Sequence, residues 1–365
     1  RQTYISQNFL GLQGLVRSGF GNDQLQWEKN IKLNLGLDIG LYNERLNISF
    51  DVYHNKTDKM LVYEAVPVAS GSSFTITNSG AMSTNGIEAS VNGRIINKTI
   101  KWDMGFTVAK STTEVDKLPV DRVLTSFAGA TYITTTSAAP NLFYGYKSNG
   151  VFSSDAAASQ ENLSLKNPNG TLVPFKGGDI RFRDINNDHI IDENDRQVIG
   201  DPNADFFGSV TSTVAYKRFS LDVLFTFTQG NDVYNYTRNQ LEAESNYYNQ
   251  TTAIINRWKT NGDVTNIPKA AWGDPMGNSR FSDRWIEDGS YFRLRALTLT
   301  YSIPFNQGLF KYAQVNLTGN NLFTLTKYKG FDPEFSAGET IFAQGIDNTL
   351  EPQIRSVQLG LRIGL

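Results

Sequence analysis

The densest set of oxygen ligands in this chain lies in one stretch, GDIRFRDINNDHIIDENDRQVIGD. Asp184, Asn186 and Asp188 stand at the first, third and fifth positions of a twelve-residue loop. Ile190 offers a carbonyl at the seventh, Asp192 falls at the ninth and Asp195 at the twelfth. Oxygen ligands at that spacing suit Ca²⁺, a hard cation that takes six to eight of them. The pattern departs twice from the usual calcium loop. His189 stands where Gly makes the sharp turn, and Asp195 stands where a longer Glu binds through both oxygens. A His with positive φ is strained but allowed. An Asx-rich loop whose carboxylates cap their own backbone has the same composition, so both readings stand. In either case the expected role is structural, because no nucleophile or general base accompanies the acids.

Other chemistry is scarce. Cys is absent, which excludes disulfides and thiolate sites, and His54 and His189 are the only histidines, which excludes a multi-histidine metal centre. The pairs Glu242 with Glu244 and Glu287 with Asp288 have the residue types of an acid–base couple, but nothing places them across a cleft. No G-x-S-x-G, phosphate loop or H-E-x-x-H occurs, so no enzyme activity is expected. Thirty-four Lys and Arg against 36 Asp and Glu leave a net charge of −2, which argues against a nucleic-acid partner. Aromatics cluster at Tyr144 and Tyr146, Tyr234 and Tyr236, and Tyr247 and Tyr248. They fit a girdle at a lipid interface, stacking on sugar or peptide ligands, or loop packing.

The elements that carry these residues alternate with a period of two. Ile31, Leu33, Leu35, Leu37, Ile39 and Leu41 share one face, against Lys32, Asn34, Gly36, Asp38 and Gly40. The pattern repeats over 46–52, 87–95, 100–108, 207–229, 292–303, 312–323 and 354–365, with a weaker strand at 140–150, for roughly ten strands. Asn43 with Glu44 and Asn97 with Lys98 mark tight turns. Phe292, Leu294 and Ala296 share a face before the phase slips to Leu297, Leu299, Tyr301 and Ile303, which reads as a β-bulge. Long links are expected at 65–84, 110–139, 151–205, 230–288 and 324–353, the last but one holding a helix within 237–259. Strands of about ten residues, joined alternately by short and long links, fit a transmembrane β-barrel. A soluble sandwich shows the same alternation. The polar face, rich in Gly, Asp, Asn, Lys and Arg, favours a watery lumen.

Several stretches together resemble the C-terminal barrel half of the SusC/RagA-like TonB-dependent transporters of the Bacteroidetes outer membrane. They are LQWEKNIKLNLGLDIGLYNERLNISFDVYHNKT, NSGAMSTNGIEASVNGRIIN, LFYGYKSNGVF, GDIRFRDINNDHIIDENDRQVIGDPNADFFGS, NSRFSDRWIEDGSYFRLRALTLTYSIP and LTGNNLFTLTKYKGFDPEF, in the family's order from near Asn22 onward. The acidic loop is one of the family's usual elements, so the match carries Asp184, Asn186, Asp188, Asp192 and Asp195 onto its ion-binding pattern, with His189 the main departure. The resemblance implies an all-β fold, a transmembrane antiparallel barrel of which residues 1–365 are roughly the last ten of 22 strands. The N-terminal plug and earlier strands are then expected outside this chain. It further implies an outer-membrane location, uptake of oligosaccharides or peptides, energy from the TonB complex, and a SusD-like surface lipoprotein as a lid. A non-transporting surface protein that binds glycan or peptide is the alternative.

Overall fold

The computed structural model describes residues 4–9, 11–17, 21–67, 74–304, 311–334 and 343–364. Nine long strands form one sheet: β1 (Lys29–Leu41), β2 (Leu46–Ala65), β3 (Phe74–Asn97), β4 (Ile100–Lys117), β5 (Phe206–Tyr216), β6 (Phe219–Gln229), β7 (Tyr291–Ile303), β8 (Tyr312–Thr326) and β9 (Ser356–Gly364). Their order follows the chain, each strand beside its predecessor. The registers given for β1–β2, β2–β3, β5–β6, β6–β7, β7–β8 and β8–β9 are all antiparallel. The expected strand near 140–150 exists as Leu142–Tyr146 and Ser148–Val151, but it lies in smaller sheets outside this ladder.

Contacts divide the chain into two units. One comprises 1–94, 105–124 and 134–140, and the other 95–104, 125–133 and 141–365. In the first, Leu35 pairs with Val52 and Val52 with Ile87, so three apolar side chains share one flank. The opposite flank is polar and bonded within itself. Asn34 donates to Asp51 at 3.1 Å and Ser49 to Asp38 at 2.6 Å. Tyr53 lies over Gly86 there, and a Cβ at Gly86 would sit 2.1 Å from the ring. The link between β1 and β2 turns through three left-handed residues, Tyr42, Asn43 and Glu44.

In the second unit Val223 pairs with Leu297 and Phe225 with Leu294, again on one apolar flank. The register shifts between Leu294 and Ala296, so Arg295 is the extra residue of the expected bulge. One detail is corrected. Ala296 pairs with Leu224, which neighbours Val223 and Phe225 on the other flank, so Ala296 does not share the face of Phe292 and Leu294.

Among the described residues, much of the apolar flank is exposed. Leu35 is 77% exposed, Leu359 78% and Val357 70%. Burial is instead concentrated away from the ladder faces, as in Trp285, Tyr132, Tyr234 and Phe143. No helix among the described residues is long and apolar enough to cross a membrane, so any crossing falls to the strands.

Two expected loops proved to be largely strand. β2 and β3 run 20 and 24 residues and leave only 66–73 between them, and β4 continues to Lys117. Beyond the apolar stretch, runs polar on both flanks such as 54–59 and 110–114, and in β2 the unbroken apolar run Met60, Leu61, Val62 and Tyr63, lose the period of two, so the alternation that marks a strand disappears from the sequence while the hydrogen-bond ladder continues. A 20-residue strand extends roughly 66 Å, well beyond an apolar band about 25 Å tall even when tilted. The expected helix is also cut short, to Tyr236–Glu242 and a 3-10 turn at Thr252–Asn256. Glu244, at φ 51°, and the Asn- and Tyr-rich segment after it break the run.

If the apolar flank meets hydrocarbon, Leu35→Arg should cost roughly 2–4 kcal/mol, and Asn34→Arg on the polar flank should cost little. Heat-modifiable gel mobility of the membrane-assembled protein reads the difference; equal assembly of the two variants would remove the lipid assignment.

Candidate functional site

The acidic loop folds by closing on its own amides. Asp184 accepts from the amides of Asn187 at 2.8 Å and His189 at 2.9 Å. Asn186 accepts from the Asp188 amide at 3.2 Å, and Asp188 from the Ile190 amide at 2.8 Å. Ile190–Ile191 then pairs in parallel with Ser164–Leu165, which buries Ile191. Asp192 caps a 3-10 turn over Glu193–Asp195 by accepting from Asn194 at 2.8 Å. Asp195 completes a capping box: it is fully buried and accepts from Ile185 and Asp192, each at 2.8 Å. Burial, followed by the neighbouring Asp184 and Asp192 charges, lifts its carboxyl above the usual range against those two hydrogen bonds.

The sixth position does turn through the left-handed region, His189 at φ 61°. Its ring nitrogen Nδ1 lies 3.1 Å from the Glu161 carbonyl, at the end of helix Asp155–Glu161, and its own carbonyl accepts from Ser164 at 2.9 Å. These two contacts show what His offers in place of Gly: strain at φ is offset by docking the loop. As to the fit of a cation, among the described residues no three His, Asp or Glu side chains are grouped to hold a metal. The carboxylates are turned to the loop amides, and any ion would share those oxygens.

The loop packs beside a hydrophobic core formed by Tyr146, Phe152, Leu163, Phe175, Phe182 and Ile191. A second core gathers Tyr132, Phe143, Tyr234, Trp285 and Ile346. The links between strands therefore carry tertiary structure of their own. Tyr144, Tyr146 and Tyr234 are buried in it, which favours loop packing over a lipid girdle for these three. Tyr247 and Tyr248 differ. They are 89% and 78% exposed, and Tyr247 stacks on the exposed Trp272 with centroids 4.3 Å apart.

Charged groups fasten these links. Arg293 pairs with Asp332 and, at 3.0 Å, with Glu334; the bulge residue Arg295 pairs with Glu334 and donates to Gln353 at 2.6 Å. The two arginines thus clamp the segment after β8 to β7. The carboxylate pairs are committed elsewhere. Glu287 accepts from Arg238 at 2.5 Å and from the Lys329 amide at 2.9 Å, while Glu242 accepts from Thr251 at 3.0 Å. Glu244, named in the sequence only as a partner of Glu242, stands apart from that reading. Its side chain is 1% exposed and both oxygens lack a hydrogen bond, with Arg257 Nε 3.8 Å away. Burial pushes its carboxyl up to about 7 against the pull of Arg257 and Arg284. Its i,i+2 place beside Glu242 was visible, but its burial was not.

The family model described as TonB dependent receptor-like, beta-barrel matches residues 3–175. A TonB-dependent receptor, P3, of Formosa agariphila is 32% identical across 96% of this chain and 36% of its own length. The TonB-dependent receptor SusC of Bacteroides thetaiotaomicron is 26% identical across 94% of this chain and 32% of its own. The chain is similar to TonB-dependent receptors along nearly its whole length. Its nine-stranded sheet is part of an outer-membrane β-barrel. The structure of the RagAB peptide transporter has the same fold, with a TM-score of 0.78 and 25% identity over all of this chain and 38% of that one. The chain spans about a third of the length of the curated relatives it matches.

Within a TonB-dependent receptor barrel, short links face the periplasm and long ones the exterior. The acidic loop, both cores, the stacked Tyr247–Trp272 pair and Glu244 all lie in the long links, and so on the outer side. The apolar flank of the sheet is the lipid face, and the polar flank is the lumen.

Two outcomes follow for this outer layer. Asp195→Ala leaves two amides without acceptors and should destabilise the loop by roughly 1–3 kcal/mol, seen as faster hydrogen exchange at Ile185 and Asp192. Glu244 holds a proton when folded that the unfolded chain loses near pH 4.5. Its contribution to stability therefore falls as pH rises from 4.5 to about 7 and levels off above. Glu244→Gln should flatten that slope, and an unchanged pH profile of exchange over 236–273 would count against the assignment.

Proposed function

We propose that this chain forms wall and outer loops of a TonB-dependent importer of oligosaccharides or peptides. The observation that carries the reading is a nine-stranded sheet in chain order whose apolar flank is exposed and whose polar flank carries hydrogen bonds within itself. Such a sheet is stable only with lipid on one side and water on the other. The chain contributes no bond-breaking step. Its outer loops supply ligand contacts, and the exposed Tyr247–Trp272 stack supports capture of flat apolar groups such as a sugar face or a peptide side chain.

The partners belong to the same proposal. A SusD-like surface lipoprotein would lie over the long links, and the TonB complex would supply energy through a plug encoded elsewhere in the full-length protein. The RagAB peptide transporter is among the solved structures similar to this chain, which supports the peptide class, while the resemblance of the sequence keeps oligosaccharides within the proposal.

Deleting the full-length protein should abolish growth on one defined class, oligosaccharide or peptide, and the double variant Y247A/W272A should weaken uptake roughly tenfold, as the loss of an aromatic contact of about 1.4 kcal/mol would. Unaltered growth of the deletion strain on both classes would defeat the import reading. Surface binding that persists without uptake would point to a binding protein instead.

For the acidic loop we propose calcium as the structural ion. The ligand order and the left-handed sixth residue support it. Hydrogen exchange over Asp184–Asp195 should slow on going from chelator to millimolar calcium. Identical exchange in both would leave the loop closed by its amides alone.

A further inference from the structure

On the lipid face of the first unit, polarity changes at one level on neighbouring strands. Along β2, Leu46, Ile48, Phe50 and Val52 give way to His54, Lys56 and Asp58. Along β3, read from its far end, Val91, Ala89 and Ile87 give way to Asn85 and Ser83. Along β4, Phe106 and Val108 give way to Lys110 and Thr112. The register sets these changes side by side: Val52 pairs with Ile87 and His54 with Asn85, while Leu33 pairs with His54. The apolar side lies toward the short links, so this line is the outer edge of the hydrocarbon.

An open groove of about 590 Å³ straddles that line. Its inner half is Leu33, Val52 and Ile87, and its rim is His54, Asn85 and Lys110; no carboxylate lines it. His54 Nδ1 donates to Asn85 Oδ1 at 2.7 Å, which leaves the Asn85 amide group to donate outward. Carboxylates begin one step higher, where Lys56 lies 3.6 Å from Asp58 and 4.0 Å from Asp116. Lys56 is thus neutralised, whereas Lys110 makes no ion pair among the described residues. A lone ammonium at the rim of an apolar groove is complementary to an amphiphile with an anionic head. A soluble anion would find one cation and no use for the apolar half.

We propose that this groove is a specific site for a phosphorylated lipid of the outer leaflet. Its acyl chain follows the apolar side, and Lys110 and Asn85 meet its phosphate. The site depends on the outer-membrane fold and not on what the barrel transports.

Native mass spectrometry of the full-length protein, released from detergent with synthetic diphosphoryl lipid A or its dephosphorylated form, tests this directly. The wild type should retain one diphosphoryl lipid and little of the dephosphorylated one. Lys110→Gln should lower retention roughly fivefold, the share one lysine contributes to holding an anionic lipid. Lys110→Arg should keep it. Lys101→Gln, on the opposite flank of the same strand, should match the wild type. Asn85→Asp places a repelling charge at the rim and provides a second reading should K110Q fail to assemble; it should also lose the lipid. Equal retention of both lipids by the wild type, or wild-type retention by K110Q or N85D, would overturn the proposal and leave ordinary bilayer lipid at this face.

Discussion

Hydrocarbon offers no hydrogen bonds, so every backbone donor and acceptor that enters it must find its partner inside the protein. The rest of this structure depends on that constraint. It explains the unbroken order of nine strands, each beside its chain neighbour, and the strict alternation of side chains across them. It also accounts for a sheet with so much of its apolar flank exposed. Leu35 and Leu359 are largely exposed because lipid, not protein, is what they meet. Even the hydroxyl of Ser212 on that flank is met by the indole of Trp102, which donates to it at 3.0 Å.

Outside the hydrocarbon the rules change, and so does the architecture. Long links that would be costly to order as bare loops acquire cores of their own around Phe182 and around Trp285. Among the described residues, buried charges are met by an opposite charge or by hydrogen-bond donors: Arg293 by Asp332 and Glu334, Glu287 by Arg238, and Asp195 by two amides. A salt bridge of this kind contributes little net stability, but removing one partner strands the other, so it holds the link in one place. Glu244 is the exception, buried 3.8 Å from Arg257 with no hydrogen bond to either oxygen. Its carboxyl is raised by that burial.

The two levels meet where the strands rise out of the bilayer. β2 and β3 are far longer than the hydrocarbon is thick, so the same ladder serves as a lipid-facing surface below and as a scaffold for the outer loops above. The change from Val52 to His54 and from Val108 to Lys110 marks the boundary on the strands themselves. The bulge at Arg295 lies near the outer end of β7, where Arg293 and Arg295 pair with the segment beyond β8.

By itself, the sequence determined the strand positions, the faces of most side chains and the bulge near Ala296, because a period of two and its phase slip are local properties of the chain. It also placed the left-handed turn of the acidic loop at His189, since ligand spacing is linear. It did not show how far β2, β3 and β4 continue, because stretches that are polar on both flanks, or apolar on both as at 60–63, erase the periodicity while the backbone ladder persists. It did not show that Tyr146 and Tyr234 are buried while Tyr247 is exposed, nor that Glu244 is enclosed and Lys110 makes no ion pair among the described residues. Those outcomes depend on which distant segments approach one another. Such contacts, 39 residues apart for Arg293 and Asp332 and 135 for Ser148 and Asp283, exist only once the tertiary structure has formed.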